Sequence, residues 1–389
     1  MHFFKSFKIR STFHLWFPNI FEFKGGIQVY SFILLEALQS LYPHSDYQVF
    51  LKHDTRSFPN LSFLTNTKFY FSGTWPGLLR TLVFASQILV LGLWYRPKLV
   101  ISTHLNFTPA AYWLKLLGDV PYWTIAHGEE AWNIKRRGLQ TALHHADRIL
   151  AVSSYTRDRL LKEQNLDPSK ISLLPCTFDA SRFQIAPKPQ HLLNCYRLTA
   201  EQPIILTVGR LDSTQQYKGY DKILRALPEM RRQIPNVHYI LVGQGSDRPR
   251  IEQLIAQLNL QKCVTLAGFV PDNEICDYYN LSDVFAMPSK GEGFGIVYLE
   301  ALACGKPTLG GNQDGAIDAL CHGELGALVD PDDVDAIAQT LIQILQGTFD
   351  NPILYQPESL RKKVLENFGF ECFKQRLAEL MESSNRVDA

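Results

Sequence analysis

Two glutamates flank the start of a helix in the segment Ser289–Glu300, and their setting suits a site for hydroxyl-rich, anionic molecules. The glycine-rich loop Gly291–Gly295 carries Glu292 and precedes a predicted helix Ile296–Cys304, in which Glu300 lies one turn along. Glycine allows close backbone approach, and free amides at a helix start attract anions. An unpaired carboxylate in the apolar run around Glu300 would be costly. The local pattern alone is equally compatible with a structural interpretation, in which one glutamate caps the helix and the other lies on the surface.

Cations follow the strands of the same half of the chain. Gly209 and Arg210 follow the predicted strand Ile204–Val208, and Lys218 opens the next helix eight residues after Arg210. Arginine offers a planar fork and lysine a compact charge, a pair that suits a diphosphate. A glycine turn at Gly243 follows the next strand. Each feature alone is typical of solvated surface loops, but together, at strand ends of one domain, they predict a donor-binding site.

The first half of the chain carries a second group of candidates. Gly25 and Gly26 precede an apolar helix, the position of a turn that approaches phosphate, but they do not form the G-x-G-x-x-G pattern of NAD sites. His104 and His127 each end a predicted strand. A lone histidine is usually structural, whereas two at strand ends of one sheet favour a place in a site, with His104 on the acceptor side.

Asp330 and Asp332 form a D-x-D pattern, which in some sugar transferases binds a metal ion. Here the pattern follows a strand and opens a helix near Asp333, where aspartates commonly cap. We therefore predict no metal site and no cofactor. P-loop and nucleophile-elbow motifs are absent from the sequence.

Short apolar strands alternate with helices in two series, which predicts two doubly wound parallel sheets. The pattern lapses between residues 180 and 202, where proline is frequent, so we place the linker there. The predicted fold class is α/β, with two Rossmann-like domains facing across a cleft. The N-terminal domain spans 1–190, the donor-binding domain spans 191–369, and a last helix at about 370–385 packs back on the N-terminal domain.

Composition sets the remaining limits. The chain has 389 residues, 46% of them hydrophobic, and a net charge of +1, which disfavours a general nucleic-acid binder. Seven cysteines without a C-x-x-C pair are typical of a reduced, cytoplasmic protein. Residues 1–10 lack the apolar core of a signal peptide. The apolar segment Leu78–Tyr95 is interpreted as a buried helix, and the alternative is a surface that touches the inner face of a membrane.

These residues together resemble glycosyltransferase family 4, whose members have the GT-B fold, and the resemblance covers nearly the whole chain. The motifs that carry it are Gly209-Arg210, Lys218-Gly219, Gly243-Gln244-Gly245, Gly268-Phe269-Val270-Pro271, Glu292-Gly293-Phe294-Gly295 with Glu300, Gly25-Gly26-Ile27 and His127-Gly128. Two segments depart from the family pattern, the opening strand within Phe7–Phe17 and the segment Pro175–Asp179. The resemblance implies a retaining, metal-independent hexosyltransferase that acts in polysaccharide biosynthesis.

The resemblance also implies roles for the matching positions. Arg210 and Lys218, aided by the Gly26 backbone, would bind the diphosphate of a UDP- or GDP-linked sugar. Glu292 and the amides of Phe294 and Gly295 would hold the sugar hydroxyls. The ribose would bind Glu300, the base would lie against the backbone of Phe269 and Val270, and His127 would lie near the reacting carbon. The acceptor would be a glycan or a lipid-linked glycan.

Three alternatives stay open at this point. A sugar-nucleotide epimerase has the same architecture but needs no second substrate. A glycoside hydrolase uses paired carboxylates, yet it would give Arg210 and Lys218 no task. A nucleotide-sugar-binding protein without catalysis is disfavoured by the intact Glu292 and His127.

Overall fold

The chain divides into two α/β units. The computed structural model describes residues 11–22, 25–56, 64 and 66–385, so our expectation for residues 1–10 concerns a segment outside the described part. The first unit comprises residues 1–175 and 373–389, and the second comprises residues 176–372. The second unit therefore begins earlier than the boundary that we predicted after residue 190. The reason is local: Asn280 accepts a hydrogen bond from the Ala186 amide at 3.0 Å and donates to the Gln184 carbonyl.

The first unit is built on a parallel sheet of seven strands. Its strands are β1 (Thr12–Phe17), β2 (Asp46–Leu51), β3 (Thr67–Phe71), β4 (Leu99–Ser102), β5 (Tyr122–Ala126), β6 (Arg148–Ala151) and β7 (Ile171–Leu173). They are ordered β3-β2-β1-β4-β5-β6-β7. Every residue of β4 and β5 is buried. Helices cover both faces of such a sheet, which explains why these strands read as continuous apolar runs.

The second unit contains a parallel sheet of six strands. These are β8 (Ile204–Val208), β9 (His238–Val242), β10 (Val264–Gly268), β11 (Val284–Met287), β12 (Thr308–Gly311) and β13 (Ala327–Val329). Their order is β10-β9-β8-β11-β12-β13. The two sheets with their helices confirm the predicted fold class of two Rossmann-like units.

Helices connect the strands in both units. In chain order they are α1 (Gly26–Leu41), α2 (Gly77–Tyr95), α3 (Thr108–Gly118), α4 (Arg137–His144), α5 (Ser154–Gln164), α6 (Gln190–Tyr196), α7 (Tyr220–Gln233), α8 (Arg248–Gln257), α9 (Ile275–Leu281), α10 (Ile296–Ala303), α11 (Ala316–Ala319), α12 (Val334–Gln346), α13 (Pro357–Phe368) and α14 (Phe370–Asn385). From Phe373 onward, α14 belongs to the first unit.

The strand order reverses next to the first strand of each sheet. In the first unit β1 lies between β2 and β4, and in the second unit β8 lies between β9 and β11. Ligands of such folds bind beyond the carboxyl ends of the two strands at this reversal. Gly25 and Gly26 follow β1, and His104 follows β4. Gly209 follows β8, and the loop with Glu292 follows β11. The fold thus brings the candidate residues to both reversal points.

Helix α2 departs from the sequence-based expectation. We predicted a buried helix, but only Phe84, Ile88 and Gly92 are buried. These three residues repeat every four positions and form one stripe against the core. The helix is mainly apolar but contains Arg80, Ser86 and Gln87. Only the one stripe packs against the core, and the other faces are left partly or fully exposed.

Candidate active site

Lys218 and Glu292 form an ion pair at the strand reversal of the second unit. The Lys218 Nζ lies 2.7 Å from Glu292 Oε2, and the two side chains retain only 13% and 17% of their exposure. Lys218 is brought here by the loop after β8, and Glu292 by the loop after β11. Two residues that the sequence analysis assigned to different parts of the donor therefore meet in one site, where the lysine can reach an anion while the carboxylate holds it.

A buried carboxylate that sequence reasoning missed organises the loop that carries Glu292. Asp314 has no exposed surface. Its Oδ2 accepts the amides of Gly291 at 2.8 Å and Glu292 at 2.7 Å, and its Oδ1 accepts the amide of Ala316 at 2.9 Å. Burial raises the pKa of this carboxyl, and the three amides oppose that rise. The Asp-Gly pair after a strand was the available signal, because aspartate after a strand commonly binds loop amides.

Glu300 lies on α10 and is bound by a tyrosine of α9. The Tyr279 hydroxyl donates to Glu300 Oε2 at 2.6 Å. Burial raises the pKa of the Glu300 carboxyl, and the bond from Tyr279 lowers it. The sequence analysis noted that an unpaired carboxylate in this apolar run would be costly, and Tyr279 provides the hydrogen-bond partner. The hydrogen bond from Tyr279 to one carboxylate oxygen holds the Glu300 side chain in place.

An aromatic side chain stands exposed at the end of β10. Phe269 is 67% exposed, and Val270 beside it is partly exposed. Gly268, which precedes them, has φ +73°, a conformation that favours glycine. An exposed ring at the carboxyl end of a strand is a surface on which a planar base can lie. In contrast, the Phe294 side chain is buried against Phe368, so only its backbone can serve a ligand.

Two glycines of the second unit are required by close packing. Gly243 has φ +139°, and a Cβ there would lie 1.8 Å from the Gly209 carbonyl oxygen. A Cβ at Gly209 would lie 3.1 Å from Lys218 Cδ, so its absence leaves room for the lysine chain. Arg210, next to it, is exposed. Glycine at these two positions therefore leaves space for the Lys218 side chain to extend to Glu292.

His127 lies at the end of β5 and is held on several sides. Its Nε2 lies 3.1 Å from the Thr103 carbonyl oxygen, an acceptor, so Nε2 carries the proton. The Tyr30 ring packs edge-on at 4.9 Å. The His127 amide donates to Glu130 Oε1 at 2.6 Å, a contact that the sequence analysis did not foresee. Burial lowers the pKa of His127 to about 3, so the ring is neutral at physiological pH.

His104 has a structural task of its own. Its Nδ1 accepts the Asn106 amide at 3.1 Å and caps a short 3₁₀ turn. Burial lowers the pKa of this imidazole to about 4.

Gly25 lies just before α1, and its carbonyl accepts the amides of Gln28 and Val29, both at 3.1 Å. Gly26 is the first residue of α1, so its amide stands at the positive end of the helix.

The two aspartates of the D-x-D pattern have other partners. Asp330 Oδ1 accepts the Asp332 amide at 2.9 Å and Gln313 Nε2 at 3.0 Å. Asp332 forms ion pairs with Lys222 and Lys290, which lower the pKa of its carboxyl. In the part of the chain that the structure describes, no three His, Cys, Asp or Glu side chains cluster as metal ligands. The residue that caps α12 is Asp333, whose side chain accepts the Ala336 amide.

Comparisons with known proteins agree with this arrangement. Residues 24–182 match the family described as Glycosyltransferase Family 4, and residues 196–362 match Glycosyl transferases group 1. A GDP-mannose-dependent alpha-(1-6)-phosphatidylinositol monomannoside mannosyltransferase of Mycolicibacterium smegmatis is 31% identical over 267 residues, which cover 66% of this chain and 68% of the relative. A D-inositol 3-phosphate glycosyltransferase of Thermobispora bispora is 28% identical over 72% of this chain and 66% of its own length.

Solved structures show the same fold. HepE of Anabaena in complex with UDP superposes with a TM-score of 0.77 at 18% identity, over 96% of this chain and 100% of HepE. Sucrose-phosphate synthase of Thermosynechococcus elongatus gives 0.77 at 22% identity, over 97% of this chain and 100% of that enzyme. The fold and the site at the strand reversals thus define a glycosyltransferase of the GT-B class. Within that class, the chain belongs to glycosyltransferase family 4.

Proposed function

We propose that this enzyme transfers a hexosyl group from a UDP- or GDP-linked sugar to a hydroxyl of a glycan or lipid-linked acceptor, with retention of configuration and without a metal ion. The observation that carries the proposal is the ion pair of Lys218 and Glu292 at the strand reversal. A cation held against a carboxylate beside a helix N-terminus offers the diphosphate a positive partner and the sugar hydroxyls an acceptor.

The chain's own residues account for the main steps. Lys218 and the exposed Arg210 stabilise the charge that grows on the diphosphate as the sugar–phosphate bond breaks. Glu292 and the amides of Gly293 to Gly295 orient the sugar, Glu300 binds the ribose, and Phe269 with Val270 supports the base. His127 is neutral and fixed in one tautomer, so it can accept or donate a hydrogen bond near the sugar without adding a charge.

Metal independence is supported by the partners of the D-x-D carboxylates. Asp332 already binds two lysines, and Asp330 binds a backbone amide. We expect full activity in excess chelator and in Asp332→Ala. Loss of activity in chelator, with recovery on addition of manganese or magnesium, would show that a metal ion takes part.

The proposal also includes the location of the protein in the cell and the nucleotide of its donor. All seven cysteines lie at described positions and none of them is joined in a disulfide, which supports a reducing, cytoplasmic setting. Relatives named as GDP-mannose-dependent support GDP-mannose as the first donor to test. Peripheral contact with the inner face of a membrane would suit a lipid-linked acceptor.

The decisive experiment is a panel of UDP-, GDP- and ADP-sugars, read by melting shift and by nucleotide release with and without acceptors. We expect one donor to stabilise the protein and to release nucleotide only with an acceptor, and NMR of the product to show the donor's anomeric configuration. Product formation without an acceptor would indicate an epimerase. Binding without release under any condition would indicate a protein that only binds nucleotide sugars. In Glu292→Ala we expect slower turnover with little change in nucleotide affinity.

A further inference from the structure

The outer face of α2 is an apolar stripe that nothing in the described part of the first unit covers. Leu78, Leu82, Val90 and Trp94 are 84%, 65%, 63% and 80% exposed. They fall on an i, i+4 series that is interrupted only by Ser86. Such residues stack on one side of a helix, here over roughly 24 Å at 1.5 Å per residue. A single exposed leucine needs no explanation, but a continuous stripe of this length does.

Helix α3 extends this apolar stripe into a surface. A Cβ at Gly92 would lie 2.6 Å from Leu114 Cδ2, and a Cβ at Gly118 would lie 3.1 Å from Leu93 Cδ2. The two helices therefore pack closely at their C-terminal ends, because glycine faces leucine at both contacts. The exposed side chains of α3 add to the area, and they are Trp113, Leu116 and Leu117. We call these residues, with the α2 stripe, the α2–α3 surface.

Basic residues predominate around the α2–α3 surface, although Asp119 is exposed directly after α3. Between Asp54 and Asp119 the sequence contains no acidic residue, although 38 of the chain's 389 residues are Asp or Glu. The same interval contains Arg56, Lys68, Arg80, Arg96, Lys98 and Lys115. Arg96 and Lys98 are exposed directly after α2, whereas Lys115 pairs with Asp147. An apolar area bordered mainly by basic residues complements an anionic lipid surface.

Aromatic side chains stand at both ends of α2. Trp75 precedes the helix and is 48% exposed, and Trp94 and Tyr95 end it. Tryptophan and tyrosine prefer the boundary between acyl chains and headgroups, because each combines an apolar ring with a polar group. A helix that lies flat in this boundary would bring an aromatic ring from each of its ends, Trp75 and Trp94, to the headgroup region.

We propose that the α2–α3 surface docks this enzyme on an anionic lipid bilayer, with α2 lying in the plane of the headgroup boundary. Although α2 has the length and apolar character of a membrane span, it stays in the protein, because Phe84 and Ile88 belong to the core of the first unit. A second copy of the chain fits less well. A symmetric contact would set the basic border against itself.

Vesicle sedimentation with the full-length protein tests this docking without any turnover readout, so it is independent of the proposed function. We expect binding to phosphatidylcholine vesicles that contain phosphatidylglycerol, little binding to phosphatidylcholine alone, and weaker binding at high salt. Replacing Leu78, Leu82 and Trp94 together by serine should reduce binding at least tenfold. The residues are exposed, so the melting temperature should change little.

Charge variants provide the matched comparison. Arg96→Glu removes one attraction and adds one repulsion, so it should weaken binding about tenfold or more, since each basic residue near such a surface is worth about fivefold. Lys362→Glu, an equal charge reversal in the second unit, should bind like the wild type. The proposal is overturned if the wild type ignores anionic vesicles, if the triple variant binds undiminished, or if the triple variant only abolishes a dimer.

Discussion

The strongest test of the site concerns Asp314, whose carboxylate accepts two amides of the loop that carries Glu292 and the amide of Ala316. In Asp314→Asn one oxygen becomes an amide group, which can donate but cannot accept. If the remaining oxygen keeps the two amides of Gly291 and Glu292, the new NH₂ faces the Ala316 amide, donor against donor. Rotation by half a turn loses both loop bonds instead. The substitution therefore removes at least one hydrogen bond to a charged group, worth about 1.5–3 kcal/mol.

This free energy must appear either in folding or in turnover. If the loop keeps its position at the cost of stability, the melting temperature of the second unit should fall by about 3–12 °C. If the loop moves, kcat/KM should fall by roughly 10–150-fold, because Glu292 leaves its place. The assay is initial nucleotide release with the donor found in the panel, beside a thermal melt.

Asp330→Asn is the control for Asp314→Asn, because Asp330 is exposed and also accepts one backbone amide. It should alter neither measurement appreciably. An Asp314→Asn enzyme with wild-type melting and wild-type kcat/KM would refute the role that we assign to this carboxylate.

Three further predictions concern other positions. Lys218→Ala and Arg210→Ala should each lower kcat at saturating donor by roughly 10²–10³, and Lys218→Arg should not restore it; near-normal kcat would mean that these cations only assist binding. Glu300→Ala should weaken binding of the free nucleoside diphosphate, and Tyr279→Phe should do so less; unchanged affinity by calorimetry would remove the ribose assignment. Burial lowers the pKa of His14 to about 3, so His14 reduces folding stability below pH 6.5 by up to about 1.4 kcal/mol per pH unit, in addition to the effects of His104 and His127. His14→Leu should remove the His14 part of this dependence; an unfolding free energy that falls from pH 7 to 4 as steeply in the variant as in the wild type would contradict it.

The strands were predictable where the chain alternates cleanly between apolar runs and breakers. The predicted bounds of β8, Ile204–Val208, coincide with those observed, because four of its five residues are buried and all but Thr207 are apolar. The opening strand was placed only within residues 7–17, and β1 begins at Thr12. Its interior includes His14, for which neither imidazole nitrogen has a hydrogen-bond partner among the described residues. A buried polar residue in the middle of β1 interrupts its apolar run, so the bounds of this strand could not be predicted from the apolar residues alone.

The exposure of α2 could not be predicted from its composition. An all-apolar helix fits a protein core and a lipid surface equally well, and the two differ only in what packs on the outer side. The absence of acidic residues between Asp54 and Asp119 was visible in the sequence. It acquires meaning only when Trp94 and its neighbours are known to be exposed.

The ion pair of Lys218 and Glu292 could not be predicted from local sequence, because the topology of the sheet brings the two residues together. The two residues are 74 positions apart, and nothing local to either one indicates the other. They meet because β11 pairs with β8 across the strand reversal, which places the ends of both strands side by side. The contact also limits how the lysine can act. Removing either partner leaves a charge with little exposure, a change that commonly costs about 3–5 kcal/mol. Under the proposed function, a diphosphate that approaches Lys218 would meet an ammonium already held by Glu292. The charge would then be oriented before the donor arrives, as stabilisation of a developing negative charge requires.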